Sequence, residues 1–414
     1  MINKLSSKNV IQLVTGNGLS QILIFLLSPI LTRIYSPLDF GKLAIFMSSS
    51  VVLSVISTGG YDLAIMLPKS YRTSFNLFLN VILLAFFINL LFAFLFILIG
   101  NYILNFINYS IDYNTLVSIP IGSFLLSCFQ GMNYMLSRSK LFNVIAYSRF
   151  AQGSGAVIFS IFLGLMNYKE NGLIIGYIIG LLVSIFPVIK ILWRGMKYFS
   201  SKLLWLSLAK YKSFPFLVTP TNTLSAFAVQ APVYFISKIY DGSTVGAYSL
   251  ANRIVTAPVG LISGSISQVY FQRITNHLNS GFGNLERNLF SDFRRLLSLS
   301  IGIFIPLIFY GSEIFEFLFG ESWKSAGEYV EIISCAMMIR FVVSPLSSIF
   351  IASGFMKIAG FWQVAHFFTT IAIFYFGKDL QIESLLWIHV FHEIILYLFY
   401  FFLILYVTRI LDRR

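Results

Sequence analysis

The sequence predicts an all-α membrane protein, with twelve transmembrane helices in two six-helix bundles around a central cavity. Three observations carry that prediction. Of 414 residues, 57% are hydrophobic and only 11% charged, more apolar surface than one soluble core can hide. Apolar runs of about 20 residues, the length that crosses roughly 30 Å of hydrocarbon, recur from one end to the other. The third is an internal repeat. Without a gap, Asn17 aligns with Asn222, Leu19 with Leu224, Ser20 with Ser225 and Gly41 with Gly246. Between them, Thr32-Arg33-Ile34-Tyr35 aligns with Ser237-Lys238-Ile239-Tyr240. Two halves that open alike read as a duplicated transporter.

Hydropathy places the first six spans near 11–31, 43–66, 77–100, 115–136, 144–165 and 172–192. The other six lie near 214–237, 244–271, 296–318, 327–351, 358–376 and 385–408. A basic segment, Trp193 to Ser213, separates the halves, giving bundles over 1–200 and 201–414. That segment mixes bases with Trp, Leu and Tyr. It either lies on the inner leaflet among anionic membrane lipids or serves as a positive-inside linker. Span one carries Thr15, Gly16, Asn17, Gly18, Ser20 and Gln21 in its first half, a polar cluster that a mere anchor does not need.

Orientation follows from the bases. With a cytoplasmic N-terminus, Lys4, Lys69, Arg72, Arg138, Lys140, Arg194, Arg287 and Arg294 fall inside, while Asp112, Glu170, Asp241 and Asp379 fall outside. Both termini are then cytoplasmic. Each bundle has an even number of spans, so a pseudo-two-fold axis runs along the membrane normal. The net charge of +13 reflects this bias, and no nucleic-acid partner is expected. Cys128 and Cys335 both lie inside spans, so neither a disulfide framework nor a metal site is expected, and no cofactor. There is no Gly-rich phosphate loop and no outward loop long enough for a catalytic domain, so the chain does not read as an enzyme.

Charges at membrane depth are the candidates for chemistry. Arg253 sits about ten residues into span eight, ~15 Å down at 1.5 Å per residue. Arg340 is similarly deep in span ten, while Arg149 lies only about one turn into span five, where it either faces the cavity or snorkels to the cytoplasmic side. A central Arg costs about 2.5–3.5 kcal/mol to insert, so it faces either an anionic substrate in a cavity or an acid on a neighbouring helix. Asn17, Gln21, Asn222 and Gln230 are candidates to line that cavity or to join helices by hydrogen bonds. Glu393 is the deepest acid and shares a helical face with His389. Glu393 with His389, and Asp62 near the cytoplasmic end of span two, are candidates for proton or sodium coupling; the alternative for Asp62 is a bond to Lys69 or to lipid headgroups. Pairing with Arg340 is the structural alternative for Glu393. The run His389-Val-Phe-His392-Glu393 does not match the ligand order of zinc-protease helices.

Pro29-Ile-Leu-Thr-Arg-Ile-Tyr-Ser-Pro37-Leu-Asp-Phe-Gly41 closely resembles the first loop of bacterial Wzx-type polysaccharide flippases. Tyr61-Asp62-Leu-Ala-Ile-Met-Leu-Pro68-Lys69 and Val245-Gly246-Ala-Tyr-Ser-Leu-Ala-Asn-Arg253 are also typical of that family. The resemblance implies two six-helix bundles opening alternately to either side of the bacterial inner membrane. It implies flipping of an undecaprenyl-pyrophosphate-linked oligosaccharide, such as an O-antigen repeat unit, to the periplasmic leaflet. A proton or sodium gradient as drive, and a polysaccharide polymerase and chain-length regulator as partners, belong to the same expectation. The competing readings are a drug/cation antiporter of the multidrug-and-toxin-extrusion type and a membrane polysaccharide polymerase. Deep Arg weighs against the first, and short outer loops against the second.

Overall fold

The computed structural model describes residues 18, 21–107, 112–280 and 285–412, and these are almost entirely helical. Among them, eight helices are long and apolar enough to cross a membrane. The chain divides into two compact units, residues 1–246 and 247–414.

The first unit opens with α1 (Gln21–Ile34), followed by α2 (Pro37–Thr58) and the short α3 (Tyr61–Ala64). Then come α4 (Tyr71–Ile107), α5 (Tyr113–Arg138) and α6 (Phe142–Leu165). Span six is broken into α7 (Gly172–Val183) and α8 (Phe186–Gly195), the second opening on Phe186-Pro187. The basic segment holds α9 (Ser201–Lys210), and a π-helical turn leads into α10 (Thr219–Ile239). The second unit takes most of α11 (Gly242–Ser280), then α12 (Leu285–Phe319) and α13 (Lys324–Leu346). It ends with α14 (Ser348–Ala352), α15 (Met356–Phe376) and α16 (Ile382–Asp412).

The repeated motif has a local physical meaning. Ser36 is the N-cap of α2: its Oγ accepts from the Asp39 N–H, and Asp39 accepts in return from the Ser36 N–H at 2.9 Å. Pro37 occupies the first turn, where no N–H is needed. At the aligned position before α11, Asp241 accepts from the Thr244 N–H at 2.9 Å and from the Thr244 hydroxyl. Five residues into each motif stands a glycine. A Cβ on Gly41 would collide with the Gly242 carbonyl, and one on Gly246 with the Pro37 carbonyl. The two helix starts therefore touch backbone to backbone within the first unit. Tyr35, just before the cap, is buried: its ring lies against Gly164 and Gly172, and its hydroxyl donates to the Ser160 carbonyl at 2.6 Å.

Small residues bring other helices equally close, as expected where lipid provides no hydrophobic drive between helices. Gly122 of α5 lies against Phe46 and Ser50 of α2, and Ser57 and Ser127 share a hydrogen bond of 2.9 Å. Gly180 of α7 fits against Ala156 of α6. Asn76 and Asn80 of α4 hold the basic segment: Asn76 bonds the Tyr198 carbonyl and the Ser200 N–H, and Asn80 the Leu204 carbonyl and Ser207 hydroxyl, all at 2.9 Å.

In the second unit, α12 and α13 approach at Gly311 and Gly327. Here α12 kinks, with Tyr310 at φ −132° and ψ 20° after Pro306. Glu331 of α13 accepts the Ser312 N–H at 2.8 Å. Asp412, at the end of α16, caps the start of α12 by accepting from Leu285 and Glu286 N–H groups, both at 2.8 Å.

Two outcomes test this packing. Gly41→Ala or Gly246→Ala costs about 1–3 kcal/mol or more through overpacking, lowering the melting temperature of the solubilised protein, whereas Gly302→Ala, with open space around it, leaves the melt unchanged. Tyr35→Phe loses about 1 kcal/mol, the share of one buried hydrogen bond, in the same measurement.

Candidate functional site

In the first unit, α2 stops at Thr58 rather than running on to residue 66. Gly59 (φ 57°) and Gly60 (φ 69°) adopt left-handed backbone that breaks the helix, and α3 turns away from its end. This turn leaves Asp62 on the wall of a cavity of about 380 Å³ between the end of α2, α3, α5 and α10. Thr58, Gln130, Tyr134, Asn222 and Ser225 supply its other polar atoms. Asp62 lies beyond the spanning part of α2. Burial pushes its carboxyl above the ordinary carboxylate value, while hydrogen bonds from Thr58 and Leu63 pull the other way. Hydroxyls, amides and one carboxyl on a recess of this size suit hydrogen bonding to a polyhydroxylated or cationic group.

In the second unit, α15 and α16 gather a different chemistry. Glu393 of α16 is buried, and its Oε1 accepts from His366 Nε2 at 2.6 Å. His392 Nε2 bonds Thr369 Oγ1 at 2.7 Å, and its Nδ1 lies 3.9 Å from Glu393 Oε1. His389, one turn earlier, completes a group in which His389, His392 and Glu393 offer donor atoms within 4.8 Å of one another. Trp362 stacks on His366 and on Tyr400, closing one side. Arg340 of α13 lies over the Tyr397 ring, 5.9 Å from its centroid.

The structure thus brings together Asp62 with Asn222, and Glu393 with His389. Gln230 lies about two turns beyond Asn222 on α10 and accepts from Ser48 of α2 at 3.0 Å, the interhelical bond that was its alternative reading. Arg149, on α6, and Gln21, exposed on α1, are not among the residues lining the cavity. Arg253 is half-buried on α11 in the second unit. Asn17 lies outside the described residues. Sequence reasoning passed over Gln130, Tyr134 and Thr369. Each is an ordinary polar residue in a spanning run, and only the position of a neighbouring helix distinguishes it.

Residues 30–328 match the family described as "Polysaccharide biosynthesis protein". The teichuronic acid biosynthesis protein TuaB of Bacillus subtilis is 25% identical over 171 residues, which are 41% of this chain and 32% of TuaB. The match thus spans about a third of that relative's length. An uncharacterized membrane protein in the cps region of Klebsiella pneumoniae is 22% identical over 369 residues, 85% of this chain and 72% of that protein. Among solved structures, an inward-facing multidrug resistance MATE family transporter of the MOP superfamily aligns with a TM-score of 0.67 at 12% identity, over 95% of this chain and 96% of that one. The lipid II flippase MurJ, in an inward closed conformation, aligns at 0.66 and 17% identity, over 99% of this chain and 89% of that one. The chain has the fold of these transporters and is a multi-pass membrane protein of the polysaccharide biosynthesis protein family.

Proposed function

We propose that this protein is a flippase that carries undecaprenyl-pyrophosphate-linked oligosaccharide repeat units from the cytoplasmic to the periplasmic leaflet. Family membership over residues 30–328, joined to a fold shared with a lipid II flippase, is the observation that carries this reading. The physical demands agree: a doubly charged head and its sugars need a hydrated, cationic path, while the polyprenyl tail stays in lipid. Arg253, Arg340 and Arg149 are assigned to the pyrophosphate, because the guanidinium fork matches phosphate oxygens. Asn222, Gln21 and Asn17 are assigned to sugar hydroxyls, and Gln230, whose Oε1 is engaged by Ser48, to them through its free amide N–H groups. Twelve spans in bundles 1–200 and 201–414, rocking about a pseudo-two-fold axis in the bacterial inner membrane with both termini cytoplasmic, form part of the same proposal. A proton or sodium gradient drives the cycle, with Asp62 as the carboxyl in the first unit that takes up the ion. Drug/cation antiport is the second reading, favoured by the MATE-like fold and by an acid on the cavity wall.

In a strain lacking the gene, wild-type protein restores surface polymer. Arg253→Ala, present in the membrane at the wild-type level, fails to do so, and Arg253→Lys restores it in part. Repeat units stranded on the cytoplasmic face, detected by lectin access to inside-out vesicles, accompany the loss. Normal polymer from Arg253→Ala removes this Arg from the substrate path, and drug efflux without any effect on polymer overturns the flippase reading.

A raised Asp62 carboxyl takes a proton at a pH closer to neutral than an ordinary one, and releases it as pH rises. Asp62→Asn is fixed in the neutral form. Vesicle transport by the wild type therefore responds to an imposed pH gradient, and transport by Asp62→Asn does not; equal responses exclude Asp62 as the coupling group.

A further inference from the structure

Three of the chain's four histidines, His366, His389 and His392, converge with Glu393 in the second unit. Their hydrogen bonds fix what is left over. The proton of the Thr369 hydroxyl is used on the Ala365 carbonyl, at 2.7 Å. Its contact with His392 Nε2, at 2.7 Å, therefore uses the ring N–H, and His392 Nδ1 carries a lone pair. That nitrogen is buried without a hydrogen-bond partner, 3.9 Å from Glu393 Oε1. His389 Nδ1 is buried and unpartnered too. A lone-pair nitrogen on His392 beside a carboxylate, and an unpaired ring nitrogen on His389, are costly to bury.

We propose that His389, His392 and Glu393 form a binding site for a divalent transition-metal ion of the zinc type. Two imidazoles and a carboxylate are a donor set that zinc, cobalt or nickel accepts, whereas sodium and calcium favour oxygen alone. The three donor atoms lie within 4.8 Å of one another. Ligands about 2 Å from a tetrahedral ion sit roughly 3.3 Å apart, so modest side-chain rotation closes the site. The outer contacts are those of a metal centre. Thr369 orients His392 through Nε2, and His366 donates to the carboxylate at 2.6 Å. A fourth position stays open. The neighbouring positive charge is Arg340 of α13, which lies over the Tyr397 ring on the ligands' own helix, α16. None of this depends on the substrate assigned above, since binding is read on purified protein without transport.

The test uses the full chain in detergent, with its affinity tag removed and metals stripped by a chelator. Titration with cobalt gives one ion per chain and the intense visible bands of a low-symmetry, nitrogen-ligated site, and zinc displaces the cobalt. His392→Ala and His389→Ala abolish the bands. Thr369→Val keeps them but weakens affinity roughly tenfold or more, as loss of an outer-sphere partner does. Zinc raises the melting temperature of the wild type but not of His392→Gln. Apo variants that elute and melt like the wild type exclude misfolding as the cause. The proposal fails if cobalt binds the His389→Ala/His392→Ala double variant as well as the wild type. It fails equally if no cobalt binds, or if sodium competes at concentrations comparable to those of the metal.

Discussion

Backbone meets backbone where α2 and α11 begin, and much of the first unit depends on that contact. Gly41 and Gly246 allow it because neither has a side chain to place between the strands of main chain. The caps at Ser36 and Asp241 fix where each helix starts, so each glycine sits one turn past a defined origin. Tyr35 then pins the entry to α2 between α6 and α7. One short motif thus sets a helix start, a close crossing and a third packing partner. The helix start and the close crossing recur in the second copy, at Asp241 and Gly246.

Away from that contact, polar side chains do the joining that apolar ones cannot do in lipid. Serines cross from α2 to α5, asparagines of α4 hold the basic segment, and Glu331 and Asp412 satisfy the backbone of α12 from other helices. Two polar groups gather several side chains in one place. The wall around Asp62 encloses space, and the nitrogens of His389 and His392 lack partners. The first suits a hydroxylated ligand, the second a cation.

Composition and hydropathy were enough to read the helical membrane class, because bilayer thickness imposes a length on each apolar run, and eight helices among the described residues have that length and composition. Ends were less legible. Span two was expected to reach residue 66, yet Gly59 and Gly60 end it at Thr58. The depth of Glu393 and its shared face with His389 could be read from helical spacing. His366 could not be added, since it arrives from α15 and periodicity says nothing about which helices are neighbours. For the same reason the contact of His392 with Thr369 was not legible, since Thr369 also stands on α15. Gln230 is a different case: its bond to Ser48 depends on α2 lying beside α10, which helical spacing within one run does not reveal.

The bend in α12 has a consequence for the second unit. With Glu331 engaged on the Ser312 N–H, straightening α12 would strand a carboxylate and a main-chain donor together in an oily setting. The Gly311–Gly327 approach leaves no slack for sliding either. The α12–α13 hairpin is therefore braced twice at one level, by a hydrogen bond and by a glycine crossing.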